Sequence, residues 1–311
     1  MDTRNLLAQR ARAERPAAHN PALFLFAALL CAAGVAATYW FFVRTTTGQL
    51  ADESAFQEAE LIAPATERPV IAFLDELPLI SVFIAVIVVV FVSILRHRIS
   101  PAVIALGTFG AANVSSQLLK RTVLDRPDRG VVTLDFNSLP SGHTTLAASA
   151  AAAVFLLASP RWRPLVALFG GSYAVLAGAA TFLNLWHRPA DVVASLLVVA
   201  AWTLVGGLVM MRTNPDWNRW PANGAAQGTA KVIAVICAVP GVLATAASLG
   251  LYFYARWNPT AVSTSAPLYF WAGLTLIVGV GFLVSALACW LFNQQAGDPA
   301  RVVGGSRGNR R

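Results

Sequence analysis

Charge is what this sequence lacks most. Asp, Glu, Lys and Arg make up 12% of its 311 residues, about half the share of an ordinary soluble domain. A soluble chain of this length would fold as perhaps two domains and would need charge to clothe both. Cysteine is scarce as well. Cys31, Cys237 and Cys289 each sit inside an apolar run with no partner at metal-ligand spacing, which argues against a disulfide framework and a zinc site. Lysine is almost missing: Lys120 and Lys231 are the two lysines among 23 basic residues. The net charge of +8 is therefore built from arginine, and the topology below accounts for it without a nucleic-acid partner.

What the chain has in abundance is apolar sequence, 57% of the total. Runs at 22–43, 77–95, 99–119, 143–158, 165–186, 192–211, 232–254 and 268–292 approach or exceed the roughly 20 helical residues that cross a bilayer. The expected fold is all-α, a polytopic transmembrane bundle of eight spans surrounded by membrane lipid. The third run carries Asn113, Ser115, Ser116 and Gln117, and the fourth is short and alanine-rich. Polar and small residues in a span face other helices, so these two belong inside the bundle. The first run is too long for a signal-peptide core of about 7 to 15 residues and reads as a retained anchor.

Arginine sets the orientation. With residues 1–21 in the cytoplasm, fifteen of the 23 basic residues fall on the inner side, in segments 1–21, 96–98, 161–163, 212–231 and 294–311. Both termini are thus expected to be cytoplasmic. The segment 44–76, with Asp52, Glu53, Glu58, Glu60, Glu67, Asp75 and Glu76, is expected outside as a solvated acidic loop or surface helix.

Three outer segments then gather chemistry at one water–membrane boundary. The first holds Lys120 and Arg126-Pro127, the second Pro140-Ser141-Gly142-His143 at the start of a helix, the third His187-Arg188-Pro189-Ala190-Asp191. Each has an ordinary structural reading, as snorkelling anchor, capping turn or boundary polar residue. Together they suit a phosphate ester. Lys120 and Arg126 would neutralise its oxygens, while Ser141 and the amides around Gly142 would add donors at a helix N-terminus. His187 and Asp191, four apart, would share a helix face, so that the carboxylate orients the imidazole as a nucleophile; His143 would protonate the departing oxygen.

In this order and on these loops, Lys…Arg-Pro, Pro-Ser-Gly-His and His-x-x-x-Asp resemble the signatures of the type-2 phosphatidic acid phosphatase superfamily of integral-membrane lipid phosphate phosphatases. The resemblance implies a six-helix phosphatase core (22–211), with two extra spans in 212–293 and a basic tail 294–311. It also implies a hydrolase without metal or other cofactor, working through a phosphohistidine. His187 would be the nucleophile, Asp191 its orienter and His143 the general acid. Lys120, Arg126, Ser141 and Gly142 would bind phosphate.

Two departures stand out. Arg126 follows Lys120 by six residues where the family has seven, and one residue on a helix is about 100° of rotation. Thr181 stands where the family has an arginine, six residues before His187; Arg188, Arg129 and Arg121 are the alternatives for that lost guanidinium, with Arg188 expected among the phosphate binders. The expected substrate is a lipid-linked phosphate on the extracytoplasmic leaflet, a polyprenyl (di)phosphate carrier or polyprenyl-linked sugar phosphate, with phosphatidylglycerophosphate or phosphatidic acid as alternatives. The reading from another class is an inactive lipid-phosphate-binding or transport protein. Asn113, Gln117 and Asn184 could line a path, but the sequence shows no internal repeat and no acidic residue in mid-span.

Overall fold

Within a bilayer every backbone polar group must be satisfied inside the protein, and a helix does this segment by segment. The computed structural model describes residues 21–62, 80, 82, 83, 87, 99–214, 217–218, 226–259 and 266–296, and it is all-helical. In chain order the helices are α1 (Pro21–Arg44), α2 (Thr46–Ile62), α3 (Ile99–Leu118), α4 (Gly142–Leu157), α5 (Arg163–Leu183), α6 (Pro189–Thr213), α7 (Ala226–Trp257) and α8 (Leu268–Gln294). A π-helical turn, Leu119–Val123, continues α3.

Among the described residues six helices are long and apolar enough to span a membrane: α1, α3 with its π turn, α5, α6, α7 and α8. The fourth apolar run forms α4, whose 16 residues are fewer than a full crossing needs. The second run, 77–95, lies outside the described residues apart from Ile80, Val82, Phe83 and Ile87, as do the basic segments 1–20 and 297–311.

Helix α6 is the axis of the bundle and packs against α1, α3, α4 and α8. Its neighbours come close because the residues between them are small: Gly178 on α5 leaves room for Val192 and Thr144, and Gly273 on α8 for Pro189. The C-terminal pair forms a hairpin whose second helix, α8, packs on α2, α5 and α6, while α7 turns Val235, Val239, Leu243 and Phe253 outward. At one end of the bundle Phe24, Phe155, Trp217 and Phe292 make a common core. Arg163 is buried there, with its guanidinium carbon 4.2 Å from the centre of the Trp217 ring.

The expectation of a solvated acidic segment is corrected by α2. The chain leaves α1 at Arg44 and re-enters a helix at Thr46, a bend so tight that a Cβ on Gly48 would collide with the Phe41 carbonyl. Folded back in this way, α2 lies on the opposite end of the bundle and buries Asp52, Glu53 and Glu58, while Glu60 stays exposed. The reason is a demand for acceptors. Ala190 N–H in the first turn of α6 donates to Asp52 Oδ1 (3.1 Å), Phe270 N–H in the first turn of α8 to Glu58 Oε2 (2.8 Å), and Arg188 to Glu53. Glu67, Asp75 and Glu76 lie outside the described residues.

Candidate active site

The end of the bundle covered by α2 is also where α4 and α6 begin and α3 and α5 finish. At the α5–α6 turn the Thr181 carbonyl accepts from both Trp186 N–H (3.0 Å) and His187 N–H (3.1 Å), which closes a short loop and sets His187 just ahead of α6. Pro189 at the first helical position fits α6's start, since its missing N–H would have had no partner. The buried His187 ring directs Nδ1 at Asp191 Oδ2 (3.0 Å), and the same oxygen accepts from Arg188 N–H (3.2 Å). Asp191 is fully buried, so these donors substitute for water and fix the ring by one nitrogen, leaving Nε2 as the nitrogen that can react.

Helix α4 is tied to the same residue. Ser141 N–H donates to the Asp191 carbonyl (3.0 Å), and Ser195 Oγ bridges the Ser141 and Asp191 carbonyls at 2.8 Å each. Ser141 Oγ accepts from Thr144 N–H (3.3 Å) and so caps α4. The first turn of α4, with the amides of Gly142 and His143, opens next to the histidine pair. His143 is exposed; its ring lies 6.4 Å from that of His187 and 4.8 Å from that of Trp186, centre to centre.

The segment 124–141 brings the bases. Past the π turn the backbone is extended at Leu124, so Arg126 stands beyond the helix and the rotation expected from its spacing to Lys120 does not apply to it. Its neighbours are pinned on both sides: Asp125 accepts from Tyr39 Oη (2.6 Å) and Arg44 Nη1 (2.8 Å), and the Pro127 carbonyl accepts from Gln49 Nε2 (3.0 Å). Arg126 itself makes one long bond, Nη1 to Thr133 Oγ1 (3.5 Å), while its buried Nε and Nη2 have no hydrogen-bond partner. Burial pulls its pKa below the ordinary arginine value, and the charges of Asp52, Asp191 and Glu53 oppose that. Half-buried Lys120 is in electrostatic reach of Asp191.

The structure thus brings together His187, Asp191, His143, Ser141, Gly142, Lys120 and Arg126. Arg188 is also there, but its Nε and Nη2 are both committed to Glu53 Oε2, at 2.9 and 2.6 Å, and its guanidinium lies over Phe56. Arg121 and Arg129 are exposed. Thr181, buried, donates its hydroxyl to the Gly178 carbonyl (2.8 Å). Sequence reasoning missed Asp52, Glu53 and Thr133. The usable signal was the spacing of Gln49, Asp52, Glu53 and Phe56, which puts them on one helical face. Among the described residues no three of His, Cys, Asp or Glu are grouped to hold a metal ion.

A PAP2 superfamily family model matches residues 77–217. That segment holds α3 to α6 and every residue named above from Lys120 to Asp191; α1, α2, α7 and α8 lie outside it. No curated protein and no solved structure matches the chain.

Burial, and after it the charge of Asp191, pushes the Asp52 carboxyl up to about 7. Because this folded pKa lies above the ordinary value of about 3.9, Asp52 contributes stability at low pH that is lost as pH rises toward and through 7. Asp52→Asn keeps an oxygen for Ala190 N–H and removes the charge. In thermal unfolding of the detergent-solubilised protein, the variant should gain on wild type between about pH 5 and about pH 8. An equal difference at both pH values would contradict the assignment.

Proposed function

We propose, from the match of residues 77–217 to the PAP2 superfamily model, that the chain hydrolyses a lipid-linked phosphate or diphosphate through a phosphohistidine. The match itself points to phosphatase activity on lipid-like phosphates. The observation that carries the finer reading is the buried His187–Asp191 pair beside an Arg126 guanidinium whose Nε and Nη2 have no partner. Donors buried without a partner on a half-buried cation are costly unless an anion arrives to use them.

In the proposed cycle His187 Nε2 attacks phosphorus while Nδ1–H stays hydrogen-bonded to Asp191, which stabilises the imidazolium that forms. The P–N bond forms as the P–O bond to the lipid breaks, and His143 gives its proton to the leaving oxygen. Water, deprotonated by His143, then attacks the phosphohistidine and restores both residues. Arg126, Lys120 and the first-turn amides of α4 stabilise the charge spread over the nonbridging oxygens. The 6.4 Å between ring centres is compatible with a phosphoryl group held between nucleophile and acid. No metal takes part in this cycle.

The arginine distribution supports an extracytoplasmic site, and a site facing that leaflet suits a polyprenyl (di)phosphate carrier or a polyprenyl-linked sugar phosphate. The test is phosphate release by the purified protein from a panel of these lipids, phosphatidylglycerophosphate and phosphatidic acid. Polyprenyl substrates should be preferred, EDTA should leave the rate unchanged, and His187→Ala should abolish both turnover and the phosphoenzyme. Arg126→Ala should cost about 100- to 1000-fold. His143→Ala should lose less on an aryl phosphate, whose leaving group needs no proton. Undiminished His187→Ala activity would refute the mechanism, and loss in EDTA with recovery on adding zinc or magnesium would move the chain to another one.

For the face, cysteines replacing exposed Val132 and exposed Arg161 separate the two sides. An impermeant thiol reagent should label the first in intact cells and spare the second; the reverse pattern would place the site in the cytoplasm.

A further inference from the structure

Among the charged groups the phosphatase reading leaves unused is Glu53. Glu53 lies on α2, outside the segment that matches the family, yet it touches the site twice. One oxygen, Oε2, accepts from Arg188 Nε (2.9 Å) and Nη2 (2.6 Å) and from Thr133 Oγ1 (2.7 Å), and Thr133 Oγ1 in turn receives Arg126 Nη1 (3.5 Å). Glu53 and Arg188 are both buried, and Arg188 and Arg126 repel each other electrostatically.

We propose that Glu53 is a positioning residue of the phosphate site: it holds Arg188 back from the ligand position and, through Thr133, steers the guanidinium of Arg126 toward it. One carboxylate is shared unevenly between the two bases. Two guanidinium groups within electrostatic reach, Arg188 buried and Arg126 half-buried, are costly together, and the carboxylate meets Arg188 with a paired, charge-assisted contact. Arg126 is left with a single neutral contact, at Thr133, and with its Nε and Nη2 open. If Glu53 loses its charge, Arg188 becomes a second uncompensated cation and the natural competitor for the incoming phosphate. Ground-state binding of an anion then holds or tightens, while the donor geometry that favours the transition state is lost.

This inference rests on the phosphatase reading, and the experiment separates the two. Steady-state phosphate release is measured for wild type, Glu53→Gln, Arg188→Ala, the double variant and Thr133→Val, on whichever lipid phosphate the wild type turns over best. Glu53→Gln should lower kcat by about 10- to 100-fold, the usual effect of removing a group that orients a functional ligand, with KM unchanged or lower. In the Arg188→Ala background the same change should cost several-fold less than in wild type, because one of the two residues it acts through is gone and the glutamine oxygen can still accept from Thr133. Thr133→Val, a half-buried loop position, cuts the link to Arg126 and should lower kcat several-fold with KM unraised. It also decides the matter if Glu53→Gln does not fold.

Wild-type kcat and KM in Glu53→Gln, multiplicative effects of Glu53→Gln and Arg188→Ala, or a raised KM with kcat intact would overturn the positioning role and leave the phosphatase reading standing. If Glu53→Gln cannot be purified folded, unchanged kinetics in Thr133→Val would do the same. A wild-type protein inert toward every lipid phosphate would overturn the reading and this inference with it.

Discussion

Asp191 is fully buried, and the ends of α4, α5 and α6 converge on its Oδ2 and its main-chain carbonyl. Its side chain takes the His187 ring and the Arg188 amide, and its carbonyl takes the Ser141 amide and the Ser195 hydroxyl. The N-terminus of α4, the α5–α6 turn and the start of α6 are thereby fixed to one residue. A buried carboxylate with too few donors costs several kcal/mol, so the contacts that make Asp191 tolerable are the ones that aim His187. Stability and geometry of the site rest on the same bonds.

The charges around this pair are close to balanced and tip toward anions. Asp52, Glu53 and Asp191 stand against Lys120, Arg126 and Arg188, and Asp52 is the member whose carboxyl is pushed up to about 7. At neutral pH it is partly protonated, which leaves the cations in slight excess. Glu53 cancels Arg188 directly, so the excess resides on Arg126 and Lys120. Helix α2 therefore supplies acceptors to two helix starts and also decides which base stays open to a ligand.

The bundle was legible because bilayer spans are written as contiguous apolar runs, and six helices of the structure coincide with six of them. The three polar segments at the site were legible for the same reason: each is short and contiguous, and alternating spans bring them to one end. Spacing within helix and loop was harder to read. Lys120 and Arg126 look mismatched on a continuous helix, but the π turn ends at Val123 and Arg126 lies beyond it, past the extended Leu124. Least legible was α2. A run of acidic residues carries no address for its partners, and those partners are remote: Glu53 meets Arg188 across 135 positions and Glu58 meets Phe270 across 212. Counting charge predicts solvation; only the packed structure shows the unfilled donors that pull these carboxylates inside.

The central claim is that this end of the bundle is a phosphate site built on His187. Structure determination of the purified protein with orthovanadate, which takes up the five-coordinate geometry of phosphoryl transfer, tests it most directly. Vanadium should be bonded to His187 Nε2, with Arg126 on the equatorial oxygens, His143 facing the apical oxygen and Arg188 still paired to Glu53. Vanadate bonded to His143, or a site left empty at a concentration that saturates inhibition, would contradict the account.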